Sequence, residues 1–236
     1  MIYVTSDWHG CEETMLRSLL DQAGFSQDDF LFVLGDVIDR GESGVAHLRW
    51  LTEQTNVQLI LGNHEAMLLS CRFLFDPVTE ESLTRLDSDA MSLLEQWRMN
   101  GAEPTLRDLR TLLKTDPEVL QSILDYLEDA PWYEELTVNG KRFVLVHGGL
   151  ANFQPDRPLS DYFADELMWC RPYPQDRYFE DATVIVGHTP TAYYDRNARG
   201  RAYHADTWIC IDTGAAQGDS PMLLRLDDMR EFYCDP

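Results

Sequence analysis

Residues 30–41 read FLFVLGDVIDRG, an apolar run of five residues followed by a glycine and then by acidic side chains. A continuous apolar run of this kind is typical of a strand that is buried on both faces of a parallel sheet. Similar apolar runs occur on either side of it, at residues 2–5 and 57–61. Between these strands, apolar side chains recur at helical spacing and predict helices over residues 12–23 and 43–52. The alternation predicts an α/β fold with parallel strands joined by right-handed crossovers.

The chain changes character between about residues 66 and 130, where strand signals disappear and Leu, Glu, Arg and Asp recur at helical spacing. No linker rich in Gly, Ser or Pro separates this stretch, so we expect a helical insertion within a single domain over residues 1–236. Strands return afterwards, and the Asn139–Gly140 pair predicts a tight hairpin. The last apolar run, at residues 222–226, is expected to be the closing strand.

The 236-residue chain carries 19 basic and 41 acidic residues, which gives a formal net charge of −22. Nucleic acids and anionic lipids bind basic patches, so this charge argues against a nucleic-acid partner and against a membrane partner. The five cysteines are scattered without a CxxC pair, as is typical of free thiols in a reducing compartment. The N-terminal residues enter a predicted strand directly and do not resemble a signal peptide. We therefore expect a cytoplasmic protein, whose oligomeric state the sequence leaves open.

Polar side chains follow five of the predicted strands, at the points where those strands end. Ligands of α/β sheets gather outside the carboxyl ends of the strands, so we expect these side chains to converge. A mixture of carboxylate, amide and imidazole donors suits Mn, Fe, Zn or a related divalent ion. Asp36 has two carboxylate oxygens, which would allow it to bridge two ions. The candidate ligands are Asp7, His9, Asp36, Asn63, His147 and His188.

Helix capping is the alternative explanation of these polar residues. A single Asp or Asn after a strand commonly caps the next helix, and Asp7, Asp36 and Asn63 each have a position that permits this. Six such residues after five separate strands favour a metal site over a set of independent caps. His47 and His204 lie outside the pattern, and we expect them to be surface or hydrogen-bonded side chains.

Five motifs that contain these residues occur along almost the whole chain. They are DWHG at residues 7–10, GDVIDRG at 35–41, GNHE at 62–65, VHGG at 146–149 and GHTP at 187–190. Together they resemble the calcineurin-like metallophosphoesterases of the phosphoprotein phosphatase branch, and within it the small bacterial and bacteriophage lambda-type serine/threonine phosphatases. The resemblance implies a four-layer α/β sandwich, in which helices flank two mixed β-sheets and a two-metal centre lies at the sheet edge.

The resemblance also implies a role for each motif residue. The six candidate ligands divide between two ions that share one carboxylate: Asp7, His9 and Asp36 for the first ion, and Asp36, Asn63, His147 and His188 for the second. His64 resembles the general acid, and Asp39 resembles the residue that orients it. Arg40, Arg171 and Asn63 are expected to contact the substrate phosphate. The implied cofactors are two divalent metal ions, with Mn favoured and Fe, Zn, Co or Ni as alternatives.

The implied activity is hydrolysis of phosphate monoesters, foremost phosphoserine and phosphothreonine on proteins, by direct attack of a hydroxide held by the two ions. The expected partner is therefore a phosphorylated protein or a small phosphomonoester. A sister branch of the superfamily hydrolyses symmetrical diadenosine tetraphosphate. That branch commonly has alanine where Asp39 stands and aspartate where Glu65 stands, so both positions favour the phosphatase. A non-catalytic metal-binding relative is a further alternative, which the complete set of ligands disfavours.

Overall fold

Two β-sheets form the centre of the computed structural model, which describes residues 1–77, 79 and 87–234. Each sheet has five strands within this described part of the chain. In chain order the strands are β1 (Ile2–Thr5), β2 (Phe30–Leu34), β3 (Val57–Ile60), β4 (Tyr133–Val138), β5 (Lys141–Val146), β6 (Ala182–Val186), β7 (Tyr203–His204), β8 (Trp208–Cys210), β9 (Met222–Arg225) and β10 (Arg230–Tyr233).

Both sheets are mixed, with a parallel centre and antiparallel neighbours. The first sheet has the order β10-β9-β1-β2-β3, in which β1, β2 and β3 are parallel, as the apolar runs predict. The second has the order β4-β5-β6-β8-β7, in which β5, β6 and β8 are parallel. The Asn139–Gly140 turn joins β4 and β5 as an antiparallel pair, which confirms the predicted hairpin.

Seven α-helices occur in the part of the chain that the structure describes: α1 (Glu13–Ala23), α2 (Gly44–Glu53), α3 (Asn63–Ser70), α4 (Ser88–Met99), α5 (Glu103–Thr115), α6 (Pro117–Glu128) and α7 (Ala164–Met168). Short 3₁₀ turns lie at Arg72–Phe75, Leu159–Asp161, Thr191–Tyr193, Arg196–Ala198 and Ala215–Gln217. Helix α1 ends at Gly24, whose φ of 67° is a left-handed conformation that glycine adopts without strain. No described helix is both long and apolar enough to cross a membrane.

The helical insertion is confirmed in its described part by α4, α5 and α6, whereas residues 78 and 80–86 lie outside the described residues. The carboxylate of Asp87 caps α4 by accepting the N–H groups of Asp89 and Ala90. Helix α6 begins with Pro117, which is favoured at the first helical position because that position needs no N–H donor. These local signals explain why the insertion forms separate helices joined by short turns.

Apolar side chains from the facing sides of the two sheets form the central core. This inner cluster contains the buried residues Val4, Phe32, Leu34, Ile60, Phe143, Leu145, Ile185, Ile209, Ile211, Met222 and Leu224. A second cluster packs α1, α2 and the insertion helices on the outer face of the first sheet, and a third covers the outer face of the second sheet. The layers are therefore helix, sheet, sheet and helix, which confirms the predicted fold class.

Two details differ from the sequence prediction. Helix α3 already begins at Asn63, so helical structure starts before the predicted insertion boundary at about residue 66. The run at residues 222–226 is not the closing strand, because β9 lies between β1 and the edge strand β10. β10 has the sequence REFY, whose two charged residues hide it from a search for continuous apolar runs.

Candidate active site

The residues that the sequence selects as ligands lie together at one edge of the two sheets. The ends of β1, β2 and β3 carry the ligands of the first sheet, and the ends of β5 and β6 carry those of the second. Their exposed fractions lie between 0% and 7%: Asp7, His9, Asp36, Asn63, His147 and His188. Such burial of polar side chains requires partners that satisfy their hydrogen-bonding or ligating atoms.

The site is built on backbone that is bent away from ordinary strand geometry. Nine described non-glycine residues have positive φ angles, and six of them belong to the site: Asp7, His9, Asp36, Asp39, Arg40 and His188. Left-handed conformations of this kind cost about 1–3 kcal/mol each and persist only where the surroundings impose them. The backbone is also closely packed here, since a Cβ on Gly35 would lie 2.4 Å from the Cα of Gly62.

Asp36 lies between two histidines, one from each sheet. Its Oδ2 is 3.6 Å from His9 Nε2, and its Oδ1 is 3.3 Å from His147 Nε2. The donor atoms of His9, Asp36 and His64 lie within 4.8 Å of one another, and so do those of Asp36, His147 and His188. The carboxylate therefore presents one oxygen to each group, as a bridge between two ions requires.

The histidine tautomers suit metal binding. His147 Nδ1 donates to the Leu34 carbonyl at 2.6 Å, and His9 Nδ1 donates to the Ile38 carbonyl at 3.2 Å. A carbonyl oxygen only accepts, so each neutral ring keeps its proton on Nδ1 and turns its Nε2 lone pair into the site. Burial lowers the pKa of His147 to about 3, which keeps the ring neutral. Its Nε2 then lies 2.9 Å from Asn63 Oδ1. The lone pairs of these two atoms face the same space, which suits a cation bound by both.

Two buried atoms in the site lack partners. Asp7 Oδ1 and His188 Nε2 have no hydrogen-bond partner among the described residues. Asp7 Oδ1 also lies 3.9 Å from His9 Nε2, so it borders the first ligand group. Buried atoms of this kind are rare unless an ion or water satisfies them. They fit the assignment of Asp7 and His188 to two metal ions.

The electrostatics of the cluster also favour the binding of cations. Burial, and after it the nearby Asp212, raises the pKa of Asp7 well above its usual value. Burial, and then Asp7 and Glu65, raises the pKa of Asp36 in the same direction. These carboxylates repel each other in a site of low polarity, and bound divalent ions would remove that repulsion. The chemistry of the donor set therefore fits two divalent ions.

His64 and Asp39 form a hydrogen-bonded pair beside the ligand groups. His64 Nδ1 donates to Asp39 Oδ2 at 2.6 Å, and both residues are almost completely buried. The other ring nitrogen, Nε2, accepts from Arg40 Nη2 at 3.1 Å and lies 3.7 Å from Asp36 Oδ2. Asp39 thus fixes the tautomer and direction of the imidazole, whose Nε2 lies beside Arg40 and the candidate metal site.

Arg40 and Arg171 approach the site from different loops. Arg40 follows Asp39 directly, and Arg171 Nη1 donates to Thr189 Oγ1 at 3.0 Å. The same nitrogen lies 3.5 Å from the carbonyl of His188. A guanidinium is a planar fork of donors that matches phosphate oxygens, so two of them at one opening suit a phosphorylated substrate.

The capping alternative does not describe the arrangement. Helix α1 follows Glu12 and helix α3 follows Gly62, and neither has a side-chain cap. Asp36 Oδ1 instead accepts the N–H of His64 at 3.1 Å from a distant loop. Asp36 thus satisfies a first-turn donor of α3, but none of the three residues caps the helix that comes directly after it, since α2 also has no side-chain cap.

The two remaining histidines lie outside the site and have partners. His47 Nε2 donates to the Cys11 carbonyl at 2.8 Å, and the ring is buried. His204 is part of β7, and its Nε2 lies 2.6 Å from Glu231 Oε1. The expectation of hydrogen-bonded side chains is confirmed for both.

Glu65 has a function in the site that the sequence analysis did not assign. Its completely buried carboxylate accepts the N–H groups of Asp36 and Val37, each at 2.8 Å, and that of Ile38 at 3.3 Å. Glu65 therefore holds the loop that carries the bridging carboxylate. The only signal in the sequence is its place beside His64 in the GNHE motif.

Residues 1–210 match the family model described as calcineurin-like phosphoesterase. The chain belongs to this family. Its relatives include the symmetrical bis(5'-nucleosyl)-tetraphosphatase of Actinobacillus succinogenes, 26% identical across 98% of this chain and 95% of the relative. They also include serine/threonine-protein phosphatase 1 of Salmonella typhimurium, 25% identical across 95% of this chain and 91% of the relative.

Solved structures confirm the fold of the family. A crystal structure provisionally assigned as a diadenosine tetraphosphatase aligns with a TM-score of 0.64 and 19% identity, covering 100% of this chain and 94% of the other. Members of this phosphoesterase family use a dinuclear divalent metal centre, and the Asp36 carboxylate between His9 on one side and His147 and His188 on the other fits such a centre. The predicted membership in the metallophosphoesterases is therefore confirmed, and the chain is a hydrolase of this family.

Proposed function

We propose that the chain hydrolyses a phosphoester at a two-metal site formed by the six converging residues. The first ion would be held by Asp7, His9 and Asp36, and the second by Asp36, Asn63, His147 and His188. The observation that supports this most strongly is the Asp36 carboxylate, whose two oxygens face His9 and His147 at 3.6 Å and 3.3 Å. Two divalent ions, when bound, increase the acidity of water and neutralise charge on a phosphoryl group.

The chain's own residues would bind and protonate the substrate. Arg40 and Arg171 would hold the phosphate oxygens, with Asn63 close to the same position. Arg40 donates to His64 Nε2 in this structure, so the imidazole carries its proton on Nδ1 and none on Nε2. Binding of a phosphate would draw the guanidinium away, and Nε2 would take up a proton from solvent to give an imidazolium paired with Asp39. His64 would then pass this Nε2 proton to the leaving oxygen and keep its Nδ1 proton, which stays hydrogen-bonded to Asp39.

The relatives favour a dinucleoside tetraphosphate as the substrate. Several of them are named symmetrical bis(5'-nucleosyl)-tetraphosphatase, at 24–27% identity across 98% of this chain. We therefore place this activity, with two nucleoside diphosphates as products, ahead of the protein phosphatase activity that the sequence motifs favour. A groove of about 440 Å³ beside Asn63, lined also by Met67, Leu93 and Trp169, offers space for the part of the substrate beyond the phosphates.

Dephosphorylation of phosphoserine or phosphothreonine is the second candidate, and the His64–Asp39 pair favours it. An alkoxide is a strongly basic leaving group that needs a proton, whereas a phosphate oxygen with a pKa near about 6 leaves without one. A pair that is buried and held at 2.6 Å is suited to the more demanding leaving group. A relative named serine/threonine-protein phosphatase 1 agrees with this activity.

A direct comparison of substrates tests both assignments. Purified protein loaded with Mn²⁺ is assayed with diadenosine tetraphosphate, with a phosphoserine peptide and with p-nitrophenyl phosphate, and kcat/KM is compared. We expect ADP as the sole nucleotide product from the dinucleotide. A larger kcat/KM for the peptide would move the protein phosphatase into first place. Absence of turnover on all three by protein that contains two metal ions would contradict the proposed function and favour a non-catalytic relative.

A further inference from the structure

The helical insertion reaches the proposed proton donor through two buried side chains. Trp97 of α4 donates its Nε1 proton to Asp39 Oδ2 at 2.8 Å. Thr105 of α5 donates its hydroxyl proton to Asp39 Oδ1 at 2.6 Å. Trp97 is 0% exposed and Thr105 is 2% exposed, so water does not compete for these contacts. Among the described residues, three side chains donate to the Asp39 carboxylate, and two of them come from the insertion.

These contacts fix the carboxylate in one orientation. Thr105 Oγ1 also accepts the backbone N–H of Asp39 at 3.0 Å, which directs the hydroxyl proton toward Oδ1. Trp97 Nε1 is a donor only, and it shares Oδ2 with His64 Nδ1. Rotation of the carboxylate would break several short hydrogen bonds at once. The Asp39 carboxylate therefore fixes the position of the His64 imidazole, and Trp97 and Thr105 fix the position of that carboxylate.

The turn between α4 and α5 supports the same loop. The carbonyl of Gly101 accepts the backbone N–H of Arg40 at 2.9 Å. A Cβ on Gly101, whose φ is 99°, would lie 2.8 Å from Arg40 Cγ. Asp39 and Arg40 both have left-handed backbone, with φ of 71° and 69°, and such a conformation needs external support. The insertion supplies that support to two adjacent residues.

We infer that Trp97 and Thr105 are positioning residues for proton donation, so that the insertion sets how well the protein expels a basic leaving group. This inference rests on the proposed function. In the step concerned, the Nε2–H bond of the protonated His64 ring breaks and an O–H bond forms on the leaving oxygen, while the other proton stays on Nδ1, hydrogen-bonded to Asp39. Loss of either insertion donor lets the carboxylate rotate and the imidazole leave the line of the leaving oxygen. The loss is greatest for substrates that need the proton most.

A merely structural function of the two residues predicts a different result. If Trp97 and Thr105 only stabilise the fold, their substitution lowers turnover of all esters by the same factor. If they position the proton donor, the factor depends on the basicity of the leaving group. Phenyl phosphate and p-nitrophenyl phosphate separate the two cases, because phenolate is much more basic than p-nitrophenolate and the transferred phosphoryl group is identical.

The kinetic test uses Trp97→Phe and Thr105→Val, both in Mn²⁺-loaded protein. We expect kcat for phenyl phosphate to fall about tenfold more than kcat for p-nitrophenyl phosphate, since each variant loses a hydrogen bond to a charged group. KM and metal content should remain close to wild type. Thr105→Ser keeps the hydroxyl and should restore the wild-type ratio. Trp208→Phe is the matched control, because Trp208 is equally buried and its Nε1 donates to the backbone carbonyl of Asp176.

A second readout does not depend on turnover. The hydrogen-bonded Nδ1 proton of His64 should give a downfield proton resonance in metal-free protein, identified by its absence in His64→Asn. In Trp97→Phe this resonance should shift or broaden through faster exchange with water. An unchanged resonance, or a uniform fall in kcat on both esters, would overturn the inference. Absence of hydrolysis by wild-type protein would contradict the proposed function instead, and the resonance would still decide the positioning question.

Discussion

Replacing Glu65 with glutamine should loosen the loop that carries Asp36. Glu65 Oε2 accepts the N–H of Asp36 at 2.8 Å, and Oε1 accepts those of Val37 and Ile38 at 2.8 Å and 3.3 Å. An amide of the same shape has one oxygen and one NH₂ group. Whichever way the amide is turned, its NH₂ group faces a backbone donor inside the protein. At least one backbone N–H then loses its partner.

The magnitude follows from these contacts. A hydrogen bond to a charged group contributes about 1.5–3 kcal/mol, and a buried donor without a partner costs about 1–3 kcal/mol. Burial raises the pKa of Glu65, so desolvation of the carboxylate opposes part of this stabilisation. We therefore expect Glu65→Gln to lower the free energy of unfolding by about 2–4 kcal/mol. Because Asp36 moves with the loop, Mn²⁺ affinity should fall as well.

Urea unfolding of the metal-free protein, followed by circular dichroism, measures the stability change. Isothermal titration calorimetry with Mn²⁺ measures the change in metal affinity. Glu95→Gln is a suitable control, because Glu95 is exposed on α4 and its substitution should change stability by less than about 0.5 kcal/mol. If the free energy of unfolding of Glu65→Gln lies within about 0.5 kcal/mol of the wild-type value and the variant binds Mn²⁺ equally well, the role of Glu65 in holding the Asp36 loop is refuted.

Three further outcomes are expected. Asp36→Asn removes the charge between His9 and His147, so bound Mn measured by plasma mass spectrometry should fall below two ions per chain; two tightly bound ions would contradict the bridge. Gly35→Ala should lower the free energy of unfolding by about 2 kcal/mol or more, because φ is 70° and the new Cβ would meet the Gly62 backbone at 2.4 Å; an unchanged urea midpoint would count against this packing. Hydrogen bonds from Arg157 and then from the Phe163 N–H lower the pKa of Glu166 from 4.5 to about 2, so their stabilisation is present above pH 4.5 and is lost toward pH 2. Glu166→Gln should therefore reduce stability at pH 7 and have a progressively smaller effect below pH 4.5, and a pH-independent difference in urea unfolding would contradict the linkage.

The parallel strands can be predicted from the sequence, because strands that are buried on both faces consist of nearly continuous apolar runs. β1, β2 and β3 are short apolar runs, and each is followed by polar residues that the structure places at one edge. The apolar pattern of β10 is weaker, because an edge strand such as Arg230–Tyr233 is only partly buried and keeps charged side chains. The sequence therefore predicts the centre of the first sheet and misses its border.

Some site residues can likewise be predicted from local sequence patterns, whereas others can be recognised only from contacts between distant parts of the chain. The candidate ligands directly follow strands, so their positions in the sequence are enough to identify them as candidates. The contacts of Asp39 with Trp97 and Thr105 join residues 58 and 66 positions apart, and no spacing rule connects them. Their residue types are also common in ordinary helix cores. Only the packing of the insertion against the loop shows that they contact Asp39, the hydrogen-bond partner of His64.

A net charge of −22 and an anionic substrate are compatible because the two act over different distances. Charges on the surface are screened within about 8 Å at physiological salt, whereas charges inside the site interact at short range in a medium of low polarity. In the site, burial raises the pKa of Asp212 to about 7, and the nearby Arg40 and Arg171 oppose that rise. Bound divalent ions would add positive charge beside the two arginines and make the site locally positive. We therefore expect metal loading, and not the overall charge, to decide whether a phosphorylated substrate binds.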